Sequence, residues 1–184
     1  MNIFAKKMPL VEFVKSLYQS VPLEDVLVIG SQHILATTHE MFKSLYEQGL
    51  CPENIFLLGK CYSSCRSVWA EMKKDGINVS PLSFFFDPAQ TFDGQFFKIT
   101  KQFLVQTLEQ VDLSKFSRVI LIDDGGQLCT LAASILRETK NIIGIEQTSS
   151  GYERIKASAK KFPIINVARS PAKLIYESPM IAEI

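Results

Sequence analysis

Four apolar runs in this chain each end abruptly in a polar cluster, and a helical pattern follows each of them. Val26-Leu27-Val28-Ile29 ends in Gly30-Ser31-Gln32-His33, and Val119-Ile120-Leu121-Ile122 ends in Asp123-Asp124-Gly125-Gly126. Ile142-Ile143-Gly144-Ile145 runs into Glu146-Gln147-Thr148-Ser149-Ser150, and Ile164-Ile165-Asn166-Val167 into Ala168-Arg169-Ser170-Pro171. Short apolar runs that alternate with helices describe strands buried on both faces. The pattern predicts a doubly wound, mostly parallel α/β sheet with helices on both faces, a three-layer sandwich. Ligands of such sheets bind outside the carboxyl ends of the strands. A polar cluster at each strand end is therefore expected to border a site.

The remaining periodicity completes the alternation. Apolar spacing predicts helices over 9–18, from about Thr38 to Gly49, over 64–76, over 95–111, over 128–138, over 152–160 and from Pro171 onward. Asn54 to Gly59 and Asn78 to Phe86 read as two further strands. Residues 1–184 are expected to form a single α/β domain. The closing pattern Ile181-Ala182-Glu183-Ile184 carries no stop signal, so further chain is expected to follow it.

Charge and composition narrow the function. A formal charge of +1, with no basic cluster longer than a doublet, argues against nucleic acid or a membrane surface as partner. No apolar run approaches the roughly 20 residues that span a bilayer. The N-terminus lacks the order of a signal peptide, so a cytoplasmic location is expected. Cys51, Cys61, Cys65 and Cys129 are too sparse for a disulfide scaffold, and with only His33 and His39 beside them no metal site is expected.

Several residues are candidates for chemistry. Asp123 and Asp124 are adjacent carboxylates at the end of a buried strand, where an unpaired charge is costly. Neighbours on an extended chain point to opposite sides, so one is expected to be structural and the other to face a cleft. Thr37 with Glu40, and Ser150 with Glu153, are spaced as capping boxes. Thr148, Ser149 and Ser150 also form a donor set at a helix start, suited to a sugar or phosphate. Ser170 is a good N-cap, which puts Lys173 in the first turn of a helix, where the dipole disfavours a cation. A lysine so placed suits a base, and Glu177 lies one turn on.

These residues carry a resemblance. Asp123-Asp124-Gly125-Gly126, then Gly144 to Gly151, then Pro163 to Val167 with Lys173, resemble successive motifs of the S-adenosylhomocysteine hydrolase family. Met8-Pro9-Leu10 and Gly30-Ser31-Gln32-His33 resemble the family's N-terminal helix and its G-C-x-H-M motif. The similarity is colinear and covers the family's substrate domain. It implies reversible hydrolysis of a nucleoside thioether, with NAD oxidising the ribose 3′-hydroxyl. It also implies catalytic positions at His33, Asp124 and Lys173. Substrate-contacting positions fall at Thr37, Gln147 and Glu177, and nicotinamide-contacting positions at Thr148, Ser149 and Ser150.

Departures from the family pattern limit what this chain is expected to do alone. Gln147 replaces a glutamate, and Glu177-Ser178 replaces an Asp-Asn pair. Gln127 stands where the family has the last aspartate of its glycine-bearing run. Leu35 and Thr37 replace the residues that read adenine, so adenosine is expected to bind weakly. No G-x-G-x-x-G occurs, so NAD would require a domain outside this chain, following it or separate. The alternative is a non-catalytic module for a nucleoside-like or sugar-like ligand. The oligomeric state is left open, a homo-oligomer included.

Overall fold

The computed structural model describes residues 8–17, 22–136, 140–158 and 161–177. Six parallel strands form one sheet in the order β3-β2-β1-β4-β5-β6. They are β1 (Val26–Ile34), β2 (Ile55–Ser64), β3 (Asn78–Val79), β4 (Arg118–Asp123), β5 (Ile142–Glu146) and β6 (Ile164–Asn166). The helices are α1 (Pro9–Leu17), α2 (Ala36–Tyr46), α3 (Arg66–Lys74), α4 (Phe92–Gln110), α5 (Gln127–Ile135) and α6 (Ser149–Lys156). This is the doubly wound three-layer sandwich that the strand-end pattern predicts.

Alternation along the strands divides the core in two. Leu27 and Ile29 of β1, with Val119 and Leu121 of β4, pack against Phe96, Phe103 and Leu104 of α4, Leu128 of α5 and Ile155 of α6. Val26 and Val28 face the other way, onto Phe42 of α2 and Val68 and Met72 of α3. Each such side chain withdrawn from water contributes about 2 kcal/mol. Because α2 and α3 cover one face and α4 to α6 the other, the chain reverses its winding between β1 and β4.

Local chemistry moves several boundaries. The strand expected from Asn78 to Phe86 pairs only over Asn78–Val79. Pro81 has no N–H to donate, and Ser80 Oγ accepts from the Leu82 amide at 3.2 Å, winding Pro81–Phe84 into a 3₁₀ turn. Neither expected capping box forms. Leu35 precedes α2 with no side-chain cap, leaving Thr37 inside the first turn. Thr148, rather than Ser150, caps α6, its Oγ1 accepting from the Gly151 amide at 3.0 Å. Ser170 does cap the following helical segment, Ala172–Glu177, accepting from the Lys173 amide at 3.3 Å. The helix ends expected at residues 18, 138 and 160, and the closing pattern at 181–184, lie outside the described residues. Among the described residues no helix is long and apolar enough to cross a membrane.

Candidate functional site

The reversal of winding opens the sheet between β1 and β4, where the loops after the two strands leave toward opposite faces. Ligands of doubly wound sheets sit at such a switch point. His33 stands near the end of β1, and Asp124 directly follows β4. His33 Nε2 lies 3.2 Å from Asp124 Oδ2. Lys60 Nζ donates to Asp124 Oδ1, and Ser63 Oγ hydrogen-bonds His33 Nδ1. Ser63, His33, Asp124 and Lys60 thus form one contiguous row of polar contacts, hydrogen bonds at its two ends and an imidazole–carboxylate approach between them. Lys60 is only 6% exposed, and burial of that depth demands an anionic partner.

Lys60 and Ser63 reach the site because β2 carries a bulge. Gln32 pairs with Gly59, but Ile34 pairs with Ser64, so the surplus residues 60–63 on β2 arch away from the ladder. The arch delivers Lys60, Tyr62 and Ser63 around His33. Gly59 is what lets it close: a Cβ there would stand 2.2 Å from Ser64 Oγ and 2.5 Å from an Ile34 side-chain carbon.

Asp123 turns the other way and is fully buried. Its Oδ2 accepts from the Cys129 amide at 2.8 Å. Across the sheet it pairs in register with Glu146, also fully buried. Glu146 Oε1 accepts from the Gly125 amide at 3.1 Å, the Thr148 amide at 2.7 Å and Thr148 Oγ1 at 2.6 Å. One oxygen of each acid, Asp123 Oδ1 and Glu146 Oε2, has no hydrogen-bond partner. Burial, and then the charge of Glu146, pushes the Asp123 carboxyl up to about 7. Burial likewise raises the Cys129 thiol, with Asp123 adding to the effect, so this cysteine stays protonated. The acid pair therefore ties the β4–α5 and β5–α6 loops together from beneath.

Above the pair the two helix starts touch. Gly126 has φ +74°, and a Cβ on it would lie 2.3 Å from the Gly151 carbonyl oxygen. A cleft of about 400 Å³ lies over Lys60, Asp124 and Gly125. Its aromatic wall is Tyr62, Phe92 and Phe96, and Thr148, Ser150 and Arg154 form its polar rim. His33 and Tyr62 meet edge to face with centroids 6.0 Å apart, Tyr62 and Phe92 are 5.1 Å apart, and Phe92 stacks on Phe96 at 5.2 Å. Arg154 Nη1 donates to the Gly125 carbonyl at 2.5 Å.

Of the residues expected from sequence, His33 and Asp124 come together. Thr148 is on the rim, but its hydroxyl donates to Glu146 and accepts from Gly151. Ser150 borders the cleft, whereas Ser149 and Thr37 are exposed away from it. Gln147 is half-buried and its amide N–H donates to the Asp123 carbonyl at 3.1 Å. Lys173 is half-buried beyond β6, two strands from β4, and is not part of the cleft lining. The Glu177 side chain lies outside the described residues. The Thr148 hydroxyl is thus engaged within the protein. No cluster of three or more metal-ligating side chains occurs among the described residues.

Sequence reasoning passed over Lys60, Tyr62, Ser63, Phe92 and Arg154. A signal for the first three was present. Gly59-Lys60-Cys61-Tyr62-Ser63 follows the apolar run Ile55-Phe56-Leu57-Leu58, the same strand-end habit seen in the other four.

The fold and site define a doubly wound α/β domain with a polar cleft at its switch point. No family model matches the chain. Over 160 residues, 87% of this chain, it is 44% identical to uncharacterized proteins of Mycobacterium tuberculosis from strain CDC 1551 / Oshkosh and strain H37Rv. The chain spans 32% of the length of each of these relatives.

Proposed function

We propose that this chain is the ligand-binding part of an enzyme similar to S-adenosylhomocysteine hydrolase, holding a nucleoside-like or sugar-like ligand and catalytically incomplete alone. The observation that carries this reading is the His33–Asp124 contact at the switch point, with Lys60 on the second carboxylate oxygen. A carboxylate fixed between a buried cation and an imidazole is held in place to accept from ligand hydroxyls. His33 beside it can give or take a proton, with Ser63 fixing the ring through Nδ1. Thr148 and Ser150 on the rim bring polar atoms, and the aromatic wall offers an apolar face of the kind sugars and bases pack on. Neither NAD nor the hydride step is assigned to these residues.

A second reading, a non-catalytic binding module, draws support from the engaged Thr148 hydroxyl and from Leu35 and Thr37, both exposed on the surface near the start of α2. Two measurements test them. Amide NMR with adenosine as probe should shift Gly125, Ser150 and His33, and Asp124→Asn should remove the response. Silence at all three positions in the unaltered chain sinks both readings. Thiol release from S-adenosylhomocysteine with added NAD should stay at background. Turnover above an Asp124→Asn control overturns the claim of incompleteness.

A further inference from the structure

Gln127, the first residue of α5, borders the cleft yet is only 5% exposed, and its Oε1 has no hydrogen-bond partner. Its Nε2 reaches the Asp93 carbonyl at 3.5 Å. A carbonyl oxygen only accepts, so this contact orients the amide and leaves Oε1 as the unused atom. A buried acceptor left unpaired carries its full desolvation penalty, and a leucine or methionine of similar size would carry no such cost. An acceptor kept in that state at the edge of a cleft is suited to a donor that arrives with a ligand.

The wall of the same cleft states what carries that donor. Tyr62 is 64% exposed, its ring against Phe92, which in turn stacks on Phe96. Phe92 is half-buried and Phe96 belongs to the core, so the exposed Tyr62 ring, backed by Phe92, is the face on which a flat ring can stack. An anion is disfavoured here: the Asp93 carboxylate lines this end of the cleft, and the guanidinium of Arg154 is occupied by the Gly125 carbonyl and Asp93. We propose that this end of the cleft is a subsite for a planar heterocycle bearing an N–H donor, which lies against Tyr62 and Phe92 and donates to Gln127 Oε1. The proposal rests on reading the cleft as a nucleoside-like ligand site. It puts the ring away from Leu35 and Thr37, the positions at which the family resemblance would read a base.

Calorimetric titration of the whole chain with adenosine and with purine riboside, which lacks the exocyclic amine, tests it. Adenosine should bind about tenfold more tightly, the discrimination that one buried acceptor supplies. Gln127→Leu should bring the two affinities together, and its melting temperature should equal or exceed that of the unaltered chain, because the orphan acceptor is gone. Tyr62→Ala, an exposed position that folding does not depend on, should weaken both nucleosides about tenfold. Equal binding of the two nucleosides by the unaltered chain overturns the subsite, as does a ratio that survives in Gln127→Leu. If binding is equal but is lost in Asp124→Asn, only the subsite fails. If neither nucleoside binds, the cleft reading fails with it.

Discussion

Replacing Asp123 by asparagine should make the protein more stable at neutral and alkaline pH, and the size of the gain follows from the acid pair. Asp123 is fully buried beside Glu146, and its carboxyl titrates at about 7 in place of 3.8. Below 3.8 the folded and unfolded states both hold the proton, and the shift contributes nothing. Between 3.8 and 7 the unfolded state has released it while the folded state has not, so the native state binds more protons and stability falls as pH rises. Above 7 both are ionised and the loss is complete. A displacement of about three pKa units corresponds to about 4 kcal/mol. The amide side chain would keep an acceptor for the Cys129 N–H and carry nothing to ionise beside Glu146. Urea unfolding from about pH 4 to about pH 9 should show the unaltered protein losing stability relative to Asp123→Asn across that window. Near pH 8 the variant should melt roughly 10 °C higher, for a chain of this size. Two curves that stay parallel across the range would refute the argument.

Two further substitutions probe the site's scaffold. Lys60→Met removes the buried cation from Asp124, so it should cost about 3 kcal/mol in urea unfolding. Most of that should return in the double variant with Asp124→Asn, and a single variant within about 0.5 kcal/mol of the parent would show the pair to be immaterial. Gly126→Ala faces both φ +74° and the Gly151 carbonyl and should destabilise by about 2 kcal/mol or more; an unchanged melting temperature would mean that the two helix starts are not in contact.

The layout of the sheet was legible because apolar strands and their polar ends are written in single residues. Val26 to Ile29 and Val119 to Ile122 announce both the strands and the edge at which His33 and Asp124 meet. The site was harder to read, because a bulge has no periodicity of its own. Lys60 has the look of an ordinary surface lysine after a strand whose apolar run is finished by Gly59, and only the register between Ile34 and Ser64 shows where the strand resumes. The capping boxes misled for a related reason. The spacing of Thr37 with Glu40 and of Ser150 with Glu153 is correct, but a cap works only at the residue where the helix starts, and Leu35 and Thr148 occupy those places. Asn78 to Phe86 carries the apolar residues of a strand, yet Pro81 and the Ser80 hydroxyl bend it out of the sheet.

The arch of β2 leaves the ladder at Gly59 and rejoins it at Ser64, with the pairing of β1 continuing on either side. Its residues supply the cation, the ring and the hydroxyl that surround His33, while contributing nothing to the two cores. Ladder pairing and the groups of the site are thereby written in separate stretches of one strand. A descendant or a designer could lengthen, shorten or recompose residues 60–63 and change what the cleft accepts, while the sheet that carries it inherits its pairing unaltered.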